Sequence, residues 1–146
     1  MRNRLSELRE VVFLILFRAD FYSRDEMQVQ IKDFFDGEDA FKKAEKEKVA
    51  AKVLNIAEHL DEIDEYLDLI SEGWKTKRMA KTDLTALRLA YYEMKYDESV
   101  PAAVAINEAV ELAKTYGQDS SPSFVNGILS KAVKQLEGCP QTEAEE

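Results

Sequence analysis

Apolar and polar positions alternate most tellingly between Val100 and Gly117, in VPAAVAINEAVELAKTYG. Val104, Ala105, Ile106, Ala109, Val110, Leu112, Ala113 and Tyr116 cover most of a helical circumference. Asn107, Glu108, Glu111, Lys114 and Thr115 leave only a narrow polar stripe. Pro101 suits the first helical position, where its missing N–H costs nothing, and Gly117 suits a left-handed residue closing the helix. A soluble helix apolar nearly all round is expected to be surrounded by other helices. Ala102, Ala103, Ala105, Ala109 and Ala113 would let those neighbours approach closely. The pattern predicts a buried central helix, with Asn107 and Glu108 as internal polar ties.

The 3.6-residue period recurs along the rest of the chain. Leu5, Leu8, Val12, Ile15, Leu16 and Ala19 mark a first helix over Asn3–Ala19, with Phe13 and Phe17 on its flank and Phe13 in the core. Asp25–Phe35 reads as a second helix, broken at Asp36-Gly37. From Asp39 to Ser71 the pattern is helical, in one piece or two, and Leu60, Ile63, Leu67 and Ile70 form its cleaner stripe. After Gly73 and Trp74, the stripe Leu84, Leu87, Tyr91 and Met94 predicts another helix, with Arg88 at its edge pairing with Glu93 or Glu108. Ser121 as N-cap and Pro122 at the first helical position open the last helix. Its core stripe is Val125, Ile128, Leu129, Ala132 and Leu136. Gly127 lies inside that helix, which predicts a close backbone contact there. The fold class expected is all-α: a single domain of about seven helices, spanning residues 1–137, followed by a disordered acidic tail, 138–146.

Composition narrows the class. The chain has 146 residues with 45% hydrophobic and 34% charged residues, which fits a globular protein rather than a disordered one. Its longest apolar run, Val11–Phe17, is too short to cross a bilayer, so no membrane association is expected. One cysteine, Cys139, excludes an internal disulfide and suits a reducing cytoplasm. The net charge of −9 is unevenly spread: residues 20–73 carry −9 and the tail −3, whereas residues 1–19 carry +2 and 74–137 carry +1. The acidity is thus central and terminal, which leaves room for an anionic partner elsewhere.

Candidate chemistry is sparse. There is no glycine-rich phosphate loop, no Cys/His cluster, and a single histidine, His59, so no catalytic site, no metal and no cofactor is expected. The acids Asp61, Glu62, Asp64, Glu65 and Asp68 spread round a helix and read as a solvated face. Two features point elsewhere. Arg2, Arg9, Phe13 and Phe17 share one side of the first helix, an arrangement suited to single-stranded RNA, with arginine on phosphates and rings under bases. The first turn after Asp119-Ser120-Ser121-Pro122 offers backbone N–H groups to a phosphate, with Phe124 beside it. Lys75, Lys77, Arg78 and Lys81 make a further local basic cluster.

LRLAYYEM (Leu87–Met94), VPAAVAINEAVELAKTYG and SFVNGIL (Ser123–Leu129), in this order and spacing, resemble the NusB family of bacterial transcription antitermination factors. The resemblance implies an all-α fold of two packed helical subbundles and no enzymatic activity. It implies pairing with the ribosomal protein NusE, to hold the boxA element of nascent rRNA and to join an RNA polymerase antitermination complex. It assigns RNA binding to Arg2, Arg4, Arg9, Phe17, Asp119, Ser120, Ser121 and Phe124, and contact with the ribosomal protein to Asp83. The basic segment is thin for such a protein, Phe17 stands where tyrosine is usual, and Ser120 and Ser123 stand in a loop that often carries lysines. Fewer phosphate contacts predict weaker RNA binding alone and a shallower salt dependence. A helical protein-interaction module with little RNA affinity is the alternative, and the apolar edge at Phe17 is available to a homodimer.

Overall fold

A computed structural model describes residues 3–145, with side chains placed through Glu137. Arg2 and the side chains of the expected tail, 138–146, lie outside the described residues. Seven α-helices and two short 3-10 turns make up the described chain, with no strand among them: an all-α fold. The helices fall into two compact units, Met1–Leu60 and Asp61–Glu146.

In the first unit, α1 (Arg4–Leu16) starts where the Asn3 side chain accepts a hydrogen bond from the Ser6 N–H at 2.8 Å. It buries Val11, Val12, Phe13, Ile15 and Leu16, while Leu5 stays 70% exposed. The expected helix to Ala19 stops short, because Phe17–Asp20 tighten into a 3-10 turn. α2 (Arg24–Phe35) opens with a capping box: Ser23 accepts from the Glu26 N–H, and the Glu26 carboxylate accepts from the Ser23 N–H. Gly37, at φ +76°, turns the chain out of it, as Asp36-Gly37 predicted. α3 (Lys43–Glu58) packs against both α1 and α2 through Val49, Val53 and Ile56.

The second unit begins with α4 (Leu60–Ile70), so the helical stretch from Asp39 to Ser71 is in two pieces, parted at His59. α5 (Lys81–Tyr96), α6 (Ala102–Tyr116) and α7 (Ser121–Glu145) pack against one another. Here the expected hierarchy is inverted. α6 buries only Ala105, Ala109, Leu112 and Ala113, and Val104 is 41% exposed. Asn107 is also exposed rather than an internal tie. The enclosed helix is α5, buried without interruption from Asp83 to Glu93. Alanines give α6 a low apolar area per turn, so one face suffices for it. α5 carries polar groups inward because they find partners there. The Thr85 hydroxyl donates to the Lys81 carbonyl at 2.7 Å, and Arg88 meets Asp64. Gly127 has open space where a Cβ would stand, so close packing does not account for it.

Candidate nucleic-acid interface

In the first unit the sequence-derived arginines are unequally available. Arg4 donates to both carboxylate oxygens of Glu45, at 2.8 and 2.6 Å, to Glu7 at 3.0 Å and to the Ala40 carbonyl at 2.9 Å. Its guanidinium also lies 5.0 Å from the centroid of the Phe41 ring. Five donors in a fork cannot serve this set and a phosphate equally well, so Arg4 is a brace between α1 and the start of α3. Arg9 is half-buried on α1, and Phe17 is half-buried at the head of the 3-10 turn rather than on the helix.

Hydrogen bonds from Arg4 and from the Lys42 N–H hold the Glu45 carboxyl down at about 2, below its ordinary 4.5. A depressed carboxyl contributes stability that is fully present above pH 4.5 and is lost as pH falls through about 2. A carbon-13 titration of Glu45 is expected to show that low midpoint. Arg4→Ala should return it toward the ordinary range, and added salt should raise it, because the pair is partly exposed. An unshifted midpoint in the parent protein would refute the brace.

In the second unit, the loop from Gly117 delivers Asp119, Ser120 and Phe124. The Phe124 N–H donates to the Ser120 carbonyl at 3.1 Å, so Ser120 rather than Ser121 is the residue before α7. Ser121 is 2% exposed, and its hydroxyl accepts from the Gln118 N–H at 2.9 Å. It therefore shapes the loop from inside, whereas its neighbours Asp119 and Ser120 are exposed. The anion-binding capacity of the first turn is small. The Ser121 N–H is spent on the Gln118 carbonyl, Pro122 has none and Phe124 bonds Ser120, which leaves the Ser123 N–H.

Gly117 adopts φ −98° and ψ −160°, not the left-handed region. Its role is steric: a Cβ there would stand 2.5 Å from the Ser121 Oγ, 2.7 Å from its Cβ and 2.8 Å from the Ala113 carbonyl oxygen. Phe124 is half-buried and meets Trp74 edge to face, with centroids 6.0 Å apart and planes at 78°. Trp74 itself is 56% exposed. In the sequence Trp74 marks only the end of a helix, and its place beside Lys75 and Lys77 is the one signal there of a further role.

Asp83, in the first turn of α5, is 8% exposed, and its Oδ1 has no hydrogen-bond partner among the described residues. A buried carboxylate oxygen left unbonded is costly and is readily satisfied by an incoming donor. Among the described residues no group of three His, Cys, Asp or Glu side chains could hold a metal, and no helix is long and apolar enough to cross a membrane.

Comparison with known proteins gives a consistent picture. The NusB family model matches residues 6–134. The transcription antitermination protein NusB of Lachnoclostridium phytofermentans is 46% identical over 127 residues, 87% of this chain and 96% of that one. The NusB structure from T. maritima superposes with a TM-score of 0.79 at 31% identity, covering 92% of this chain and 94% of that one. A chain in the crystal structure of a plectonemic RNA supercoil superposes with a TM-score of 0.80 at 27% identity, covering 93% and 97%.

Proposed function

The chain belongs to the NusB family, and from that premise we propose that it is a cytoplasmic transcription antitermination factor. In this reading it binds boxA-type single-stranded RNA of nascent rRNA transcripts together with the ribosomal protein NusE, and joins an RNA polymerase antitermination complex. It performs no catalysis. The observation that carries the RNA assignment is Phe124, held partly open in the first turn of α7 beside the exposed Asp119 and Ser120. The ring stacks a base, and the short side chains before it accept and donate hydrogen bonds to base edges or ribose. Arg9 and Phe17 supply a charge and a ring to the RNA. Asp83 receives a donor from the ribosomal protein.

Arg4 favours one element of the second reading, that of a protein-interaction module with little RNA affinity of its own. With its guanidinium committed to Glu45, the basic segment is thinner than its composition suggests. The partner then supplies much of the phosphate contact. Binding of a boxA-bearing RNA, with and without the ribosomal protein and at two salt concentrations, separates the two. Antitermination predicts clear binding by the complex and a shallow salt slope for the chain alone. No binding in either condition would sink the RNA reading. Within the complex, Phe124→Ala should lower affinity about tenfold, in line with the loss of one stacked base. An unchanged affinity would remove Phe124 from the site.

A further inference from the structure

Between α4 and α5 the chain makes a turn whose geometry is set from several sides. Gly73 takes φ +80° and Glu72 φ +29°, a conformation a non-glycine residue adopts only under constraint. The Ser71 hydroxyl donates to the Trp74 carbonyl, and the Trp74 N–H donates to the Ser71 carbonyl at 3.1 Å. From α7, Lys131 reaches across, donating to the Ile70 carbonyl at 3.0 Å and pairing with Glu72 at 3.3 Å. Asp68 accepts from the Thr76 N–H at 2.7 Å. Glu72 and Asp68, the acids nearest in sequence, are thus both engaged. This framework holds an indole that is more than half exposed, the reverse of what a core tryptophan needs.

Three cations follow it. Lys75, Lys77 and Arg78 are all exposed, and among the described residues none has an ion-pair partner, while Thr76 between them and Met79 after them are buried. Phe124 and Lys131 are seven residues apart on α7 and share a helix face. Gly127, on that same face between them, leaves the backbone uncovered, with nothing within 4 Å of a built Cβ. The edge-to-face geometry of Trp74 and Phe124 leaves ring surface that neither ring covers for the other.

We propose that Trp74 is a second base-stacking residue, which with Phe124, Lys75, Lys77 and Arg78 holds single-stranded RNA along α7 beyond its first turn. The proposal rests on the RNA-binding reading above and extends it to residues that reading does not use. Charge chooses the occupant: an aromatic pair beside unpaired cations is complementary to a polyanion whose bases have stacking faces. An apolar protein surface would leave those cations desolvated and unpaired. Gly127 gives the backbone of such a strand room to approach the helix.

Trp74 is the only tryptophan of the chain, so intrinsic fluorescence reports on it directly. The complex with the ribosomal protein is titrated with boxA-bearing and scrambled single-stranded RNA, with the Trp74→Phe complex as the optical blank. Binding is followed in parallel by anisotropy of labelled RNA. The expected result is quenching whose midpoint matches the anisotropy midpoint. Trp74→Ala should weaken RNA binding about tenfold with an unchanged melting temperature, and Trp74→Phe should keep affinity within about threefold of the parent. Normal RNA affinity with no quenching and an unaffected Trp74→Ala overturns the stacking role while leaving RNA binding intact. Quenching by the ribosomal protein alone, with no further change on adding RNA, overturns it in favour of a protein contact. Absence of RNA binding in the parent complex defeats the underlying reading and this one together.

Discussion

Asp64→Ala is expected to destabilise the second unit by about 3 kcal/mol, the largest single-residue effect predicted for this chain. Asp64 on α4 accepts from Arg88 on α5 through both oxygens, at 2.8 and 2.6 Å. The exposures are asymmetric: the Arg88 side chain is 5% exposed and that of Asp64 26%. Removing the carboxylate therefore leaves a guanidinium where water cannot readily reach it, and arginine does not escape by losing its proton. Breaking a buried pair from one side costs more than the net worth of the pair, because the desolvation of the Arg88 guanidinium is no longer offset by the Asp64 carboxylate. It follows that Asp64→Leu combined with Arg88→Met should recover most of the loss. Urea unfolding checks both, read as a shift in midpoint at constant slope. A loss below about 1 kcal/mol for Asp64→Ala would mean the pair behaves as a surface bridge.

Gly117→Ala should cost about 1–3 kcal/mol, toward the upper end, and should weaken RNA binding as well. A flexible side chain could swing away from a new methyl group. Here one obstacle is the Ala113 carbonyl oxygen of α6 and another is the Ser121 side chain, itself buried. Neither can retreat without moving a helix end. The movement would be passed to the turn carrying Asp119, Ser120 and Phe124. Ser121→Ala is a useful contrast. It removes the acceptor for the Gln118 N–H without adding bulk, so it should cost about 1 kcal/mol and disturb RNA affinity less. If Gly117→Ala is as stable as the parent, the steric account of this glycine fails.

Helix positions and family were legible in the sequence because both are written locally. Apolar period, Asp36-Gly37, and Ser121-Pro122 each mark an element boundary within a few residues. What sequence could not rank was which helix sits innermost. α6 looked central because alanine counts as apolar at every position, whereas burial follows area and partners. α5 looked amphipathic because Arg88, Glu93 and Asp83 interrupt its stripe, yet Arg88 finds Asp64 24 residues away. That pairing was hidden in an acidic run that reads as solvated. The candidate site divides in the same manner. Asp119, Ser120 and Phe124, close together in the chain, are exposed or half-open. Arg4 is diverted by Glu45, 41 residues away, and Trp74 meets Phe124 from 50 positions away.

The enclosure of α5 also has a consequence for synthesis. Two of the helices that pack on it, α6 and α7, follow it in the chain, and the buried residues Val125, Leu129 and Ala132 are among the last of the core to be made. The first unit draws its helices from the first sixty residues, and α1, α2 and α3 can meet as soon as they leave the ribosome. The second cannot complete the packing of α5 until α7 has emerged. A ribosome stalled before that point would carry a second unit whose inner helix is only partly covered, which makes the arrival of α7 the step that completes its core.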